Sequence, residues 1–453
     1  MAVVGGGITG LTAALALSEH ESRPTVTLFE EADRLGGKIR TVEVGDGFVE
    51  AGPDSFLVRE PWAEELCRRV GLADDLISPD VFGAAVLVNG ELRPFPKGSL
   101  WGLPTRPSTA LRAEALSWRG RIRALGDLVG PGPLRGPDTS VADLVRERFG
   151  AEVLERLVDP LLAGTRAGST SEMSLAAALP QVDALARSYR SIMRGARAQG
   201  AAASGPPPFR GIRGGMERLT RRLESSLSER VMIHTRTGIR RIRTSRDGYE
   251  LIASEGSVSS ADAVVLCTPA PAAAEMLRDL SPPSSSLLGA VRYASVASIA
   301  LRFRPGSVAT APGTSGVLVP SSEGRAISAC TWWSSKWPEA SGEAQIVRCF
   351  VGRSSNDALE GSDDELASKC VSDLRAITGS ASQPLDWTVT RWSEGLPEYQ
   401  VGHLDRLAEV DAALADHPRL ALAGAGYGGS GVPDCIAQAH RAVQNIMGAP
   451  GPA

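Results

Sequence analysis

The stretch AVVGGGITGLTAALALS (residues 2–18) decides the fold of this chain. A short apolar strand runs directly into Gly5, Gly7 and Gly10, which form the pattern G-x-G-x-x-G, and a helix of small residues follows. The next apolar run, TVTLFE (residues 25–30), predicts a second strand. The chain therefore begins with a β-α-β unit of the kind that binds dinucleotides.

Each glycine of this pattern has a physical reason. Gly5 permits a tight turn, Gly7 lets backbone N–H groups approach a pyrophosphate, and Gly10 allows the helix to pack closely on the strand. Glu30 ends the second strand twenty residues after Gly10, where an acid accepts the ribose hydroxyls of a dinucleotide. The pattern is weak alone, and its place between a strand and a helix makes it specific.

The segment EADRLGGKIRT (residues 31–41) follows the second strand directly and contains Arg34, the pair Gly36 and Gly37, and Lys38. It resembles the R-x-G-G sequence of the flavin amine oxidase superfamily. In that superfamily the arginine and the glycines close over the diphosphate and adenosine of FAD. The resemblance therefore favours a flavin over a nicotinamide cofactor.

Near the C-terminus, GAGYGGSGVPDCI (residues 424–436) places Gly424 and Gly426 after a predicted strand and before a helix that we expect to begin at about Pro433. Proline is favoured in the first helical turn, where its missing N–H costs no hydrogen bond. The N-terminus of a helix carries partial positive charge, which suits the anionic N1–C2=O edge of a reduced flavin. Both ends of the chain thus predict one flavin site.

The composition is that of an ordinary multidomain enzyme. The 453 residues are 43% apolar and 22% charged, and the net charge of -4 gives no electrostatic footprint for nucleic acid. No C-x-x-C pair or histidine cluster suggests zinc, another metal or a disulfide framework. The glycine-broken start is not a typical signal peptide, and no run approaches the roughly 20 apolar residues of a membrane span. We expect a cytoplasmic protein, with peripheral contact with a membrane left open.

The order of predicted elements indicates three parts. Helical spacing dominates 141–162 and 174–198, and short strands alternate with helices in the rest. We expect an α/β fold: a Rossmann-like FAD-binding domain with an α+β substrate domain and a mainly helical subdomain. The expected boundaries are 1–55, 211–280 and 405–448 for the FAD-binding domain, 79–104 and 281–404 for the substrate-binding domain, and 56–78 and 105–210 for the helical subdomain.

The chain resembles the protoporphyrinogen oxidase family of haem biosynthesis, and within it the bacterial branch that oxidises coproporphyrinogen III. The resemblance covers nearly the whole chain. Besides the flavin motifs, it is carried by EAGPDSFLVRE (50–60), PLLAGTRAGSTSEMS (160–174), FRGIRGGMERL (209–219), RWSEGLPEYQVGH (391–403) and GVPDCI (431–436). The first, second and fourth discriminate, because amine oxidases and carotene desaturases share the nucleotide motif but differ there.

The resemblance implies which residues bind the cofactor. They are Gly5, Gly7, Ile8, Thr9, Gly10, Glu30, Glu31, Arg34, Gly36, Gly37, Lys38, Gly52, Pro53, Asp54, Ser55, Ile239, Trp392, Gly424, Gly431, Val432, Pro433 and Asp434. In this set Ile239 would contact the adenine through its backbone, and Trp392 would lie near the isoalloxazine ring.

The same resemblance implies that Gly164 and Gly168 lie on the active-site wall, where a missing side chain makes room for a flat macrocycle. Arg166 departs from the aromatic residue that relatives often carry at its position. No catalytic side chain is assigned, because hydride would pass from a meso carbon of the substrate to flavin N5. The arginines that could pair with substrate propionates are Arg59, Arg166, Arg210 and Arg213.

The implied reaction removes six electrons from coproporphyrinogen III in three flavin cycles, with O2 as the electron acceptor and hydrogen peroxide as a product. The FAD is expected to be non-covalent, because the loop carries Gly428, Gly429 and Ser430 where amine oxidases with covalent flavin carry cysteine. Three alternatives stay open: a protoporphyrinogen IX oxidase, a flavin amine oxidase or carotene-type desaturase, and a non-enzymatic flavin-binding or haem-trafficking protein. Contact with a downstream chelatase is also open.

Overall fold

The structure, a computed structural model, describes residues 1–166, 168–200, 208–352 and 359–448. Ala167 of the GTRAG motif lies outside the described residues, as do 201–207 and 353–358 of the expected helical and substrate-binding domains.

Within these ranges, the strands in chain order are β1 (Ala2–Val4), β2 (Val26–Phe29), β3 (Thr41–Val44), β4 (Gly47–Glu50), β5 (Phe56–Leu57), β6 (Leu76–Ile77), β7 (Ala85–Val88), β8 (Glu91–Pro94), β9 (Ser99–Leu100), β10 (Leu103–Pro104), β11 (Phe209–Ile212), β12 (Val231–His234), β13 (Ile239–Ser245), β14 (Gly248–Ala253), β15 (Val258–Ala261), β16 (Val264–Leu266), β17 (Tyr293–Phe303), β18 (Gly316–Leu318), β19 (Ile327–Trp332), β20 (Gln345–Val351), β21 (Asp386–Pro397) and β22 (Leu420–Leu422).

The helices are α1 (Ile8–Ser18), α2 (Trp62–Arg69), α3 (Pro107–Leu111), α4 (Trp118–Ala124), α5 (Val141–Arg148), α6 (Ala151–Val153), α7 (Asp159–Thr165), α8 (Leu175–Ala178), α9 (Pro180–Ser188), α10 (Ile192–Ala198), α11 (Glu217–Leu227), α12 (Ala270–Met276), α13 (Pro282–Gly289), α14 (Trp333–Lys336), α15 (Asp363–Thr378), α16 (His403–Ala413) and α17 (Val432–Gly448). None of these described helices combines the length and the apolar character that crossing a membrane requires.

A five-stranded sheet contains the N-terminal strands in the order β12-β2-β1-β16-β22, and all its neighbours run parallel. Its strands are short and apolar because helices and other layers cover both faces, so that Val3, Leu28 and Val265 are fully buried. α1 connects β1 to β2, and α11 and α17 pack against α1. The predicted β-α-β unit and Rossmann-like fold are thereby confirmed.

A second sheet has seven strands in the order β21-β17-β20-β19-β18-β7-β8. Its neighbours are antiparallel except β18 and β7. Leu366, Cys370 and Leu374 recur at helical spacing on α15 and are buried in one apolar cluster with Ile299 of β17, so α15 packs on this sheet. These elements form the α+β part of the predicted fold.

The helices α3 to α10 contribute a separate apolar core, but the helical pattern predicted over 141–162 is divided. Gly150, at a φ of +93°, separates α5 from α6, and a π-helical turn over Leu154–Val158 precedes Pro160. Proline lacks an N–H and its ring clashes with the carbonyl group four residues earlier in a regular helix. The wider turn accommodates Pro160 without ending the helical segment.

The segment 47–55, which contains β4 and the loop after it, lies against the second sheet and the neighbouring helix α14. Side chains from α14, β20 and β21 donate hydrogen bonds to this segment. The pairs are Trp333 with Phe48, Lys336 with Asp54, Arg348 with Gly52 and Trp392 with Ala51.

Candidate functional site

The turn between β1 and α1 has the shape of a nucleotide cradle. Gly5 has a φ of +104°, which favours glycine. A Cβ on Gly10 would lie 1.8 Å from the carbonyl oxygen of Gly5, so α1 packs at a distance that only glycine allows. A Cβ on Gly7 would meet no described atom within 4 Å. Packing explains Gly5 and Gly10, whereas the open space at Gly7 fits a ligand that approaches the backbone. Ile8 and Thr9 continue the turn as buried residues of α1.

The R-x-G-G loop lies directly on this turn. The N–H of Gly36 donates to the carbonyl oxygen of Gly6 at 2.8 Å, and a Cβ on Gly37 would lie 3.2 Å from the Cα of Gly7. The guanidinium of Arg34 donates to the carbonyl oxygen of Gly37 at 2.5 Å. Arg34 thus holds the shape of its own loop, and its contact with a diphosphate stays a prediction.

Lys38 follows this loop as a half-buried cation. Burial lowers the pKa of its ammonium group, and among the described residues the thiol of Cys435 acts on it electrostatically in the opposite direction. A desolvated ammonium group next to the glycine turn suits an anionic group such as a diphosphate, which would repay the cost of burying the charge.

Glu30 lies at the carboxyl end of β2, as predicted, but its carboxylate already accepts two N–H groups of the protein. Oε2 accepts from Gly6 at 2.6 Å and Oε1 from Ala32 at 2.8 Å. The bond to Gly6 holds the backbone of the glycine turn, and the bond to Ala32 holds the backbone that follows β2. Contact of Glu30 with ribose hydroxyls stays a prediction.

Ile239 and Glu31 lie beside this end of β2. The N–H of Thr237 donates to the carbonyl oxygen of Glu30 at 2.8 Å, and Ile239 begins β13 two residues later. Arg240 forms an ion pair with Glu31. The backbone of Ile239 is therefore near the position where the adenosine half of a dinucleotide lies in a Rossmann-like fold.

The loop Gly52, Pro53, Asp54 and Ser55 is held by buried polar contacts. Asp54 accepts from the Lys336 ammonium group at 2.7 Å and from the Ser55 hydroxyl at 2.7 Å. Burial disfavours the charge on Asp54, but Lys336 and Arg348 outweigh it and lower the pKa of this carboxyl to about 2. The loop is thus fixed by an ionised group inside the protein.

Two successive carbonyl groups of this segment are also fixed. Trp392 donates from Nε1 to the carbonyl oxygen of Ala51 at 2.9 Å. Arg348 donates to the carbonyl oxygen of Gly52 at 2.7 Å, and its guanidinium carbon lies 4.4 Å from the ring centre of Phe350. Trp392 therefore contacts the predicted flavin loop, and its place near the isoalloxazine ring stays a prediction.

Glu50 precedes this loop and connects it to α11. Its carboxylate accepts from the N–H of Met216 at 2.8 Å and from the hydroxyl of Thr41 at 3.0 Å. Burial raises the pKa of Glu50 to about 7, although both hydrogen bonds act in the opposite direction. Glu50 is therefore a hydrogen-bond acceptor at the N-terminus of a helix.

The C-terminal glycine loop, residues 424–431, lies beside the start of α1 and leads into α17. Gly424 has a φ of +133°, and a Cβ there would lie 3.7 Å from the hydroxyl oxygen of Thr9. α17 begins at Val432, so Pro433 lies in its first turn as predicted. Asp434 accepts from the N–H of Gly431 at 3.1 Å, and burial raises the pKa of its carboxyl. The N-terminus of α17 thus lies beside the glycine turn of α1.

The hydroxyl of Tyr399 ties the RWSEGLPEYQVGH motif to this loop, because it donates to the carbonyl oxygen of Ala425. His403 stacks on Tyr399 with ring centres 4.6 Å apart. Burial lowers the pKa of His403 to about 4, so its ring is neutral at physiological pH. The motif therefore supports the site by packing.

The two glycines of the predicted substrate wall lie where the helical subdomain meets the second sheet. A Cβ on Gly164 would lie 3.4 Å from the Cβ of Ala329 in β19. Gly168 has a φ of +89°, and a Cβ there would lie 3.4 Å from the side chain of Glu398. Arg59 is exposed at the protein surface. Contact of these residues with substrate stays a prediction.

The other candidate arginines differ in their surroundings. Arg210 donates to the hydroxyl of Ser78 at 2.5 Å, and Arg213 forms an ion pair with Glu339 at 3.5 Å. Arg166 is half-buried with its Nε atom out of contact with solvent, and its guanidinium carbon lies 5.5 Å from the ring centre of Trp101. Among the described residues, no His, Cys, Asp and Glu side chains gather as a metal site.

Lys336 and Arg348 hold the predicted flavin loop, and sequence reasoning missed both. The run QIVRCFV (residues 345–351) carried a usable signal, because one charged residue in an apolar strand requires a partner when buried. The partner of Arg348, Gly52, lies 296 residues earlier in the chain. No local pattern could identify it.

Known proteins match the chain over nearly its full length. Residues 8–447 match the family described as flavin containing amine oxidoreductase. A coproporphyrinogen III oxidase of Bacillus subtilis is 34% identical, covering 98% of this chain and 97% of that protein. One from Mycobacterium bovis is 36% identical, covering 98% of this chain and 96% of that protein. The crystal structure of a candidate protoporphyrinogen oxidase from Exiguobacterium sp. 255-15 has a TM-score of 0.88 and 32% identity, covering 98% of both chains.

Fold and site define a flavin-dependent oxidoreductase. The open space at Gly7, the cation at Lys38 and the helix N-terminus at Val432 fit the phosphates and the reduced ring of a flavin nucleotide, and their contacts with it stay predictions. The chain belongs to the flavin-containing amine oxidoreductase family.

Proposed function

We propose that this protein oxidises coproporphyrinogen III to coproporphyrin III with FAD and O2. Each porphyrinogen loses six electrons and six hydrogens, and three O2 become three H2O2. The observation that carries this proposal is the 34% identity to a coproporphyrinogen III oxidase over 98% of the chain. Such identity spans the nucleotide cradle, the substrate wall and the C-terminal loop together.

The flavin is bound as FAD and without a covalent bond. The backbone of Ile239 and the end of β2 provide a place for an adenosine, which a mononucleotide lacks. Cys435 is 5% exposed, and burial raises the pKa of its thiol to about 11. A protonated thiol is a poor nucleophile, which supports non-covalent binding. Acid precipitation should release all of the flavin as FAD, and yellow colour retained in the pellet would contradict this.

The protein contributes to the reaction by holding and orienting the flavin. FAD, when bound, would supply the redox chemistry: in each cycle it would take up one hydride, which carries two electrons, and those electrons would pass on to O2. Trp392 and Arg348 fix the carbonyl groups of Ala51 and Gly52, so that the loop beside the flavin ring keeps one position. Asp54 stays ionised, and Lys336 neutralises it away from water.

The direct test is anaerobic. When coproporphyrinogen III is mixed with the FAD-loaded protein without O2, the visible flavin absorbance should fall as the porphyrinogen reduces it. Air should restore the absorbance and produce porphyrin fluorescence. Photoreduced protein serves as the control for complete bleaching. A flavin that can be photoreduced but is not bleached by coproporphyrinogen III would contradict the proposal.

A second candidate is oxidation of protoporphyrinogen IX. The name of the Exiguobacterium protein favours it, since that chain has the same fold over 98% of both chains. The two substrates differ in charge, four carboxylates against two. Binding of the two oxidised porphyrins separates the candidates, because a protoporphyrinogen oxidase would bind the dicarboxylate more tightly.

The helical subdomain supports a peripheral contact with a membrane. Trp118 and Ile122 are one turn apart on α4 and are 67% and 57% exposed, and Leu111 on the adjoining α3 is also exposed. Apolar side chains of this size insert between lipid headgroups when several share one surface. Trp118→Ser should reduce sedimentation with phosphatidylglycerol vesicles at least threefold, whereas Trp387→Ser on the second sheet should leave it unchanged. Equal sedimentation of both variants would contradict this contact.

A further inference from the structure

Arg166 is a charged group without an anionic partner in the described structure. Its Nε–H group is buried and has no hydrogen-bond acceptor among the described residues, and no described carboxylate lies within ion-pair distance of its guanidinium. Arg348 shows the contrast, because that buried arginine donates to Ser298 at 2.9 Å and to Gly52 at 2.7 Å. Among the described residues, the guanidinium of Arg348 therefore has hydrogen-bond acceptors, whereas the Nε–H group of Arg166 has none and is available to a ligand.

The surroundings of Arg166 favour an anion. Trp101 lies against the guanidinium, 5.5 Å from ring centre to guanidinium carbon, and shields that face from water. Burial lowers the pKa of Arg166, whereas Tyr399 and Asp434 act on it in the opposite direction. Arginine stays charged at every physiological pH. An enclosed charge without a partner is costly, and a carboxylate would offset that cost.

Arg166 lies between the predicted substrate wall and the C-terminal glycine loop. Its backbone N–H donates to the carbonyl oxygen of Leu162 at 2.7 Å, so the residue caps the C-terminus of α7, two residues after Gly164. Asp434, which acts on it electrostatically, is in the first turn of α17. A carboxylate bound to Arg166 would thus belong to a molecule that lies between the predicted substrate wall and the C-terminal glycine loop.

We propose that Arg166, backed by Trp101, is the specificity-determining residue that binds a carboxylate found on a tetracarboxylate porphyrinogen and not on a dicarboxylate one. This inference rests on the proposed function. The planar guanidinium binds a carboxylate through two parallel hydrogen bonds, which a lysine does not reproduce.

The test compares Arg166→Gln, Arg166→Lys and a matched control, Arg119→Gln. Arg119 also lies on a tryptophan, 5.3 Å from the ring centre of Trp118, but on α4. Arg166→Gln should raise the KM for coproporphyrinogen III at least tenfold with kcat within a factor of two, because the contact is equally present before and during reaction. The KM for protoporphyrinogen IX should change less than twofold. Arg166→Lys should recover part of the loss, and Arg119→Gln should match the parent protein.

Equal effects of Arg166→Gln on both substrates, or an unchanged KM, would overturn the inference. Binding of the redox-inert coproporphyrin III, followed by tryptophan quenching, supplies a readout that needs no turnover, and Arg166→Gln should raise its Kd at least tenfold. Without ligand, Arg166→Gln should not lower the thermal midpoint, whereas a purely structural arginine would. If the parent protein oxidises neither porphyrinogen, the proposed function fails, and the binding result still decides the role of Arg166.

Discussion

The ammonium group of Lys336 lies 2.7 Å from the carboxylate of Asp54, and this ion pair joins α14, which packs on the second sheet, to the predicted flavin loop. Both side chains are mostly buried, at 15% and 14% exposure. The pair therefore stabilises the contact between two parts of the chain that are 282 residues apart.

Removing one member of this pair should be more harmful than removing both. Lys336→Met leaves the carboxylate of Asp54 buried with Arg348 as its remaining cation, and we expect the free energy of unfolding to fall by about 3 kcal/mol. The double variant with Asp54→Asn should recover at least half of that loss. Urea unfolding measures both.

An exposed ion pair provides the control. Arg221 pairs with Glu217 at 3.2 Å, but Arg221 is 71% exposed, so Arg221→Met should change stability by no more than about 0.5 kcal/mol. A similar loss in the two single variants would contradict the assigned importance of the buried pair.

Glu50 should make stability fall as pH rises. Its pKa of about 7 in the folded protein exceeds the ordinary value of 4.5, so the folded state binds the proton more tightly between these values. Stability is therefore lost as pH rises through this window. Asp54, with a pKa of about 2, loses its contribution only as pH falls towards that value.

The variant Glu50→Gln removes this titration and keeps an oxygen for the N–H of Met216. Relative to the parent protein, its free energy of unfolding should improve by about 2 to 3 kcal/mol between pH 5 and pH 8. Unfolding in urea at four pH values measures the difference. Parallel pH dependences would show that Glu50 does not titrate in this range.

Gly7 and Gly10 should respond differently to alanine. Gly7 has a φ of -73° and open space at its Cβ, so Gly7→Ala should leave the stability of the flavin-free protein within about 0.5 kcal/mol and weaken flavin binding at least tenfold. In Gly10→Ala the new Cβ meets the carbonyl oxygen of Gly5, and the flavin-free protein should lose about 3 kcal/mol or more. Normal flavin affinity in Gly7→Ala would contradict the cradle.

Trp392 should affect the flavin through one hydrogen bond. Trp392→Phe keeps an aromatic ring but leaves the buried carbonyl group of Ala51 without its donor, at a cost of about 1 to 3 kcal/mol. We expect weaker flavin binding and a shifted visible absorption spectrum. Trp387→Phe, at an exposed position of the same strand, should change neither. An unchanged visible absorption spectrum in Trp392→Phe would show that this residue does not influence the flavin.

Local rules were sufficient for the part of the fold that is local in sequence. The β-α-β unit could be predicted because strand, glycine turn and helix are consecutive, and because the backbone conformation at Gly5 and the close packing at Gly10 require glycine. The divided helix at 141–162 could not, since a proline inside a helical pattern can end the helix, bend it or, as at Pro160, follow a wider turn.

The candidate site was predictable as a set of motifs and not as a set of contacts. Trp392 and Ala51 are 341 residues apart, and only the packing of the second sheet against the segment after β4 brings them together. Glu30 illustrates the opposite case. Its place at the end of β2 was correctly predicted, but its hydrogen bonds to Gly6 and Ala32 depend on a turn geometry that sequence does not specify.

The most direct test of the proposed function is aerobic turnover of the FAD-loaded protein on both porphyrinogens, with porphyrin measured by fluorescence and peroxide counted enzymatically. The account predicts a higher kcat/KM for coproporphyrinogen III than for protoporphyrinogen IX, and three H2O2 for each porphyrin formed. Turnover of the dicarboxylate alone, or porphyrin formed without peroxide, would contradict it.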